Sequence, residues 1–357
     1  MTATRQPTLP KRPTTMAQIA DHAGVALSTV SYVLSGKRTV SDEMRRRVTA
    51  AIEELGYRPN GAARALASGA SYTIALFLPS PDWEFVPVQQ TFVAGITQAT
   101  SDHGYSLLLS TQASDPDTIV ELVESSGADG VILMETLQDD ERVRRLRSSC
   151  VPLSLVGRTR DNSDLNFVDL DFGAAVEAGL DHLAELGHRC VALLNFPPHQ
   201  LAAGYTSALL AKQSLESRCQ ELGIRGIHLS CPYPAKEASA IAANLLATEP
   251  SCTAAITTAW QFSGLMAALR LAGLHVPDDF SVVSVISSQY AEMLTPALTS
   301  IEWPAFEAGR LAAQMLIERI GDDRAPVRQL LIGGDLVVRE STAAPPARAE
   351  PLPVRDY

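Results

Sequence analysis

At 357 residues, with 46% hydrophobic and 19% charged residues, the chain is long enough for a small head and a larger two-lobed body, each with its own core. A net charge of −11 would exclude nucleic acid if it were evenly spread, but residues 1–68 hold ten Lys/Arg against five Asp/Glu and the remainder is strongly acidic. That asymmetry suits a chain that meets phosphate at one end only. There is no run of about 18 uncharged apolar residues, so no membrane span is expected. The N-terminus carries Arg5, Lys11, Arg12 and three prolines without an apolar stretch, and reads as a disordered basic arm over 1–14 rather than a secretory signal. Five scattered cysteines (150, 190, 219, 231, 252) never take a CxxC spacing. They read as small buried hydrophobes in a reducing cytoplasm, not as disulfides or metal ligands.

Thr15 followed by Gln18 is a capping-box start, and Met16, Ile19 and Ala20 give the first helix an apolar face. His22 to Val25 stops it, with Gly24 able to take a positive φ without strain. A second helix is expected over Leu27–Leu34, with Val30, Val33 and Leu34 buried. Leu27, Ser28, Thr29, Ser31 and Tyr32 then lie nearer solvent, a face almost without charge. Such a face suits a helix that enters a DNA major groove better than one that solubilises a surface, although an ordinary helical hairpin is the alternative. Ser41-Asp42-Glu43 caps a third helix from Met44 to Leu55, closed by Gly56. After a break at Tyr57-Arg58-Pro59-Asn60, Gly61 to Ser68 is helix-prone but too short to stand alone in water.

Residues 15 to 68 resemble the DNA-binding head and hinge of the lactose-repressor (LacI-type) transcription factors. The resemblance is carried by Ala23-Gly24-Val25, Ser28-Thr29-Val30-Ser31, the run from Ile52 to Asn60, and Ala63 with Leu66. It implies that Leu27, Ser28 and Tyr32 read base edges, and that Thr15, Thr29, Ser31, Tyr57 and Asn60 meet the phosphate backbone. It also implies that the hinge helix, folding only on DNA, wedges Leu66 with Ala63 into the minor groove at the operator centre; packing of Leu66 against the body is the other reading. Two heads related by a twofold axis imply a homodimer on an approximately palindromic double-stranded operator. Tyr32 stands where the family usually has Arg, and Ala26 replaces the usual Ser or Thr cap of the reading helix, a loss of roughly 1 kcal/mol.

From Tyr72 short apolar strands alternate with amphipathic helices. Strands are expected at 73–78, 105–109, 130–133, 153–156, 190–194, 226–230, 254–257 and 281–285, with helices at 92–103, 117–125, 174–186, 207–222, 238–247 and 263–272. Uninterrupted apolar strands between helices imply parallel sheets covered on both faces, with ligands at the carboxyl ends of the strands. This body resembles the periplasmic-binding-protein-like core of the same family through Ala128-Asp129-Gly130-Val131-Ile132, Val156-Gly157-Arg158, Leu186-Gly187-His188-Arg189, Val276-Pro277-Asp278-Asp279 and Leu336 to Thr342. The resemblance implies three crossings between lobes, near 170, 302 and 331. The fold expected is thus a small all-α helix-turn-helix head (15–59) with a hinge helix and linker (60–71), then an α/β two-lobed periplasmic-binding-protein-like body (72–342) for effector binding and dimerisation. A disordered Pro/Ala-rich tail (343–357) completes it.

In the cleft the sequence departs from sugar-binding members of the family. Thr258-Ala259 stands where an Asn-Asp pair is common, Ser284-Val285-Ile286-Ser287 where Gly-Phe-Asp-Asp is, and an expected Arg is replaced near Lys212. Unpaired polar groups in a closed cleft cost about 1–3 kcal/mol each, which argues against a common sugar. Candidates for contacts to an unidentified small molecule are Trp83, Phe85, Gln89, Asp171, Lys212, Trp260 and Ser287. Asp171 reads equally as a helix cap, Trp260 as core, and a degenerate effector site is a further alternative. No GxGxxG, Walker A, GxSxG, HExxH or metal-spaced Cys/His cluster occurs, so neither an enzyme, a cofactor nor a metal is expected. A periplasmic-type binding protein without DNA activity is the remaining rival. The expectation is a cytoplasmic sequence-specific regulator, repressor rather than activator by resemblance alone.

Overall fold

A computed structural model describes residues 14–35, 39–56, 70–78, 87–111 and 115–347. The chain divides into two units, 1–71 and 72–357.

The head consists of α1 (Met16–Ala23), α2 (Leu27–Ser35) and α3 (Asp42–Glu54). The capping box forms at α1: Gln18 N–H donates to Thr15 Oγ1 at 3.4 Å while Thr15 N–H donates to Gln18 Oε1 at 2.8 Å. Gly24 ends α1 at φ 63°, and the Arg47 guanidinium donates to the Ala23 and Gly24 carbonyls at 2.6 and 3.2 Å. A cation on the last carbonyls of a helix satisfies orphan acceptors and complements the dipole. A Cβ at Gly24 would lie 2.6 Å from that guanidinium and displace it from the carbonyls, and the positive φ strains any side chain there. Ile19, Ala20, Ala23, Val30, Val48 and Ala51 form the small core.

The body holds two six-stranded sheets. The first runs β2 (Ser106–Ser110), β1 (Thr73–Phe77), β3 (Gly130–Leu133), β4 (Leu153–Val156), β5 (Asn166–Asp169) and β11 (Gln329–Leu331), all parallel. The second runs β7 (Arg225–Ser230), β6 (Cys190–Asn195), β8 (Ala254–Thr257), β9 (Ser281–Val285), β10 (Thr299–Ile301) and β12 (Leu336–Val337), parallel except for antiparallel β12. On β1, Ile74 and Leu76 join one core while Ala75 and Phe77 join another on the opposite face, which is why the strand is apolar throughout. Helices α4 (Pro87–Asp102), α5 (Pro116–Ser126), α6 (Glu141–Ser148) and α13 (Ala305–Gly321) belong to the first lobe. Helices α7 (Phe172–Glu185), α8 (Pro198–Ala203), α9 (Thr206–Leu222), α10 (Ala235–Thr248), α11 (Phe262–Leu271) and the single turn α12 (Ser288–Ala291) belong to the second. The chain passes between lobes at 170–171, 302–304 and 332–335, close to the positions implied by resemblance.

Three expectations change. Helices α6, α8, α12 and α13 and strands β5, β10, β11 and β12 are not among the elements expected from periodicity. Residues 343–347, expected within a disordered tail, are placed: Ala343 N–H donates to Ser281 Oγ at 3.0 Å, and its carbonyl lies 3.0 Å from His188 Nε2. Cys150 is exposed at φ 59°, whereas the other four cysteines are buried as expected. Among the described residues no helix is long and apolar enough to cross a membrane.

Candidate functional site

Helix α2 begins without a side-chain cap, because Ala26 offers only its carbonyl, which accepts from Thr29 N–H at 2.9 Å. Leu27 is 52% exposed and Ser28 is exposed beside it, whereas Val30 is fully buried and holds the helix to α1 and α3. Thr29, Ser31 and Tyr32 are half-buried, and Thr15 is exposed at the start of α1. The first turn of α2 therefore presents an uncharged, small-and-apolar edge. Tyr57, Asn60, Ala63 and Leu66 lie outside the described residues, as do Trp83 and Phe85.

Between the lobes the carboxyl ends of the strands line a cleft with about 780 Å³ of empty space, including the part open to solvent. Two residues beyond β3, Glu135 takes φ 54°, a left-handed conformation uncommon outside glycine and suggestive of a functional constraint. Its Oε1 accepts from Gln89 Nε2 at 3.0 Å and its Oε2 from Gln200 Nε2 at 3.4 Å. Burial pushes the Glu135 carboxyl up, against the lowering effect of Gln89, Arg142 and Tyr205. Asp169 ends β5 and is 2% exposed; burial pushes its carboxyl up to about 7 although Arg158 Nε lies 3.4 Å away.

Aromatic side chains form the floor. Phe92 meets Trp303 edge-on at 5.2 Å, Trp303 meets Phe172 at 5.9 Å, Phe172 meets Phe196 at 5.4 Å, and Phe196 meets Tyr205 at 5.0 Å. Phe172 and Trp303 sit at or beside two of the three crossings, so this row joins those crossings to the cleft. The lobes also touch across the cleft: Leu137 pairs antiparallel with Tyr205, Gln138 N–H donates to Gly204 O at 2.9 Å, and Thr206 N–H to Thr136 O at 3.3 Å. Thr91 Oγ1 lies 3.4 Å from the Tyr290 hydroxyl on the opposite side.

Of the sequence candidates, Gln89, Trp260 and Ser287 line this cleft together, with Trp260 5.2 Å from Tyr290. Two do not. Asp171 accepts from Ala174 N–H at 3.2 Å as the cap of α7 and lies 3.5 Å from Arg158. Lys212 points off the buried stripe of α9, 42% exposed and 3.9 Å from Glu216. Sequence reasoning missed Glu135, Asp169, Tyr205, Tyr233 and Tyr290. The strand-end rule, applied only after β8 and β9, would have reached Glu135 had it been extended to β3.

Residues 15–60 match the family described as bacterial regulatory proteins, lacI family, and residues 180–342 a periplasmic binding protein-like domain. The chain is 31% identical to the HTH-type transcriptional regulator CelR of Thermobifida fusca, over 93% of this chain and 99% of that one. It is equally 31% identical to the HTH-type transcriptional regulator MalR of Streptomyces coelicolor, over 93% and 98%. Among solved structures, the lac repressor dimer bound to operator and the anti-inducer ONPF has a TM-score of 0.81 at 26% identity, covering 93% of this chain and 100% of that one. A CelR–cellobiose complex has a TM-score of 0.68 at 27% identity, covering 92% and 100%. These relatives are transcriptional regulators rather than enzymes. The chain belongs to the lacI family of bacterial regulatory proteins and is a DNA-binding transcriptional regulator.

Proposed function

We propose that this regulator acts in the cytoplasm as a homodimeric repressor on a pseudo-palindromic operator, and that a small molecule in the inter-lobe cleft sets its affinity. The observation that carries the reading is the exposed, uncharged first turn of α2, held by a buried Val30 against a capped α1. In this reading Leu27, Ser28 and Tyr32 meet base edges, and Thr15, Thr29, Ser31, Tyr57 and Asn60 fix the head on phosphates. Leu66, with Ala63, wedges the minor groove at the centre of the site. The dimeric lac repressor relative supports the twofold arrangement.

The effector reading rests on the cleft's position at the strand ends, its contacts between lobes, and the aromatic row at the crossings. A solved CelR relative holds cellobiose. Thr258, Ala259 and Ser287 line the cleft here, and this lining supports an effector other than a simple sugar. Sedimentation of the purified protein with a selected operator duplex, together with transcription in vitro from the same DNA, tests the reading. Two protomers per duplex and reduced transcript are expected; one protomer per duplex, or raised transcript, would refute the dimeric repressor.

A further inference from the structure

The cleft carries an excess of hydrogen-bond acceptors and negative charge inside an aromatic wall. Eight of its described lining residues are aromatic, two are carboxylates, and none is Lys, Arg or His. The nearest guanidiniums are already engaged. Arg142 pairs with Asp140 at 2.6 Å and donates to the Glu135 carbonyl, while Arg158 is shared between Asp169 at 3.4 Å and Asp171 at 3.5 Å. Four carboxylates (Glu135, Asp140, Asp169, Asp171) thus face two guanidiniums. An ionised carboxylate taken out of water is costly unless a cation reaches it.

Two buried acceptors at the site lack hydrogen-bond donors. Gln89 is 7% exposed and directs its amide N–H to Glu135, which leaves its Oε1 without a hydrogen-bond partner. Asp169 Oδ2 likewise accepts no hydrogen bond. Donors for a polyol's oxygens are few: Tyr233 donates to Gln200 Oε1 at 3.2 Å and Thr258 to the Leu194 carbonyl at 3.4 Å, which leaves chiefly the small hydroxyls of Ser207 and Ser287. Aromatic faces such as Trp260 and Tyr290 attract a cation through the ring quadrupole, and more strongly where water is excluded.

We infer that the effector is a cation: a small molecule with a protonated amine held between Glu135, Asp169 and the Gln89 carbonyl oxygen, and an apolar or planar part against the aromatic wall. This deepens the effector reading above and rests on it. The test is isothermal titration of the full-length protein with phenethylamine, its neutral counterpart 2-phenylethanol, and cellobiose, repeated on Glu135→Gln and Asp169→Asn. Phenethylamine is expected to bind one site per chain at least tenfold more tightly than 2-phenylethanol. Either substitution should reduce that preference to threefold or less, while thermal unfolding confirms that each variant is folded. Equal binding of the neutral compound, or a preference unchanged in both variants, overturns the cation assignment. Saturable binding of cellobiose with phenethylamine inert overturns it too and leaves the effector reading standing. If none of the three compounds binds, both fall.

Discussion

Helices α4 and α13 cross where Gly95 faces Phe306 and Gly309 faces Phe92, and this crossing sets the geometry of the cleft floor. A Cβ at Gly95 would sit 2.0 Å from the Phe306 carbonyl oxygen and 3.0 Å from the Arg310 nitrogen. Ordinary contact is about 3.5 Å, so Gly95→Ala requires the helices to part by about 1.5 Å. The obstructing atoms are helical backbone and cannot rotate away, which puts the cost at or above the usual overpacking range, about 3 kcal/mol. That corresponds to a fall of roughly 6–10 °C in the unfolding temperature of a body this size. Parting the helices also shifts Phe92, one turn from Gly95, away from Trp303 and loosens the aromatic row. All three tryptophans (83, 260, 303) lie in the body, so tryptophan fluorescence follows its unfolding without interference from the head. Gly321→Ala is the control: it lies on the same helix, and nothing stands within 4 Å of its added Cβ. If Gly95→Ala unfolds within 2 °C of the unaltered protein, the close-approach argument is wrong.

Three further outcomes are expected. Ala26→Ser supplies the missing cap of α2 at an exposed position and should stabilise the head by about 0.5–1 kcal/mol, visible as a higher melting temperature of the head with operator binding retained; no gain would mean that Ala26 is not the capping position. Asp169→Asn should raise the body's unfolding temperature by an increment that grows with pH. The folded state raises this carboxyl from 3.8 to about 7, so its stabilising contribution is full below the unfolded value and is lost as pH rises through 7. Arg158, Asp171, Tyr205 and the Leu170 N–H are the groups that act on it, and Asp171 still pairs Arg158 in the variant. An increment equal at pH 5.5 and 8.5 would contradict the assignment. Leu66→Ala should reduce operator bending and affinity while the body's unfolding temperature stays constant; unchanged affinity would remove the wedge role.

Much of this was legible in sequence where local rules act alone. Thr15, Gln18 and Gly24 announced α1 because capping and positive φ are properties of a few adjacent residues. Strand β5 was not legible, because Asn166 and Asp169 make it look like a loop. Both are buried, and Asn166 is satisfied only by distant parts of the chain: its Nδ2 donates to Met315 O at 3.2 Å, and its Oδ1 accepts from Arg328 N–H at 2.8 Å. The cleft follows the same division. Trp260 and Ser287 were reached by counting from strand ends, whereas Asp169 needed a strand that sequence did not reveal. Lys212 was misplaced because motif alignment does not show which face of α9 is buried; Ala208, Ala211 and Leu215 form that face and turn Lys212 outward.

The most direct test of the account is selection of bound duplexes from a random DNA pool by the purified full-length protein at physiological salt, followed by the same selection with Leu27→Ala. The account predicts an enriched pseudo-palindrome with two half-sites, altered at the bases facing α2 in the variant. A pool with no enriched sequence, bound no better than bulk DNA, would contradict it.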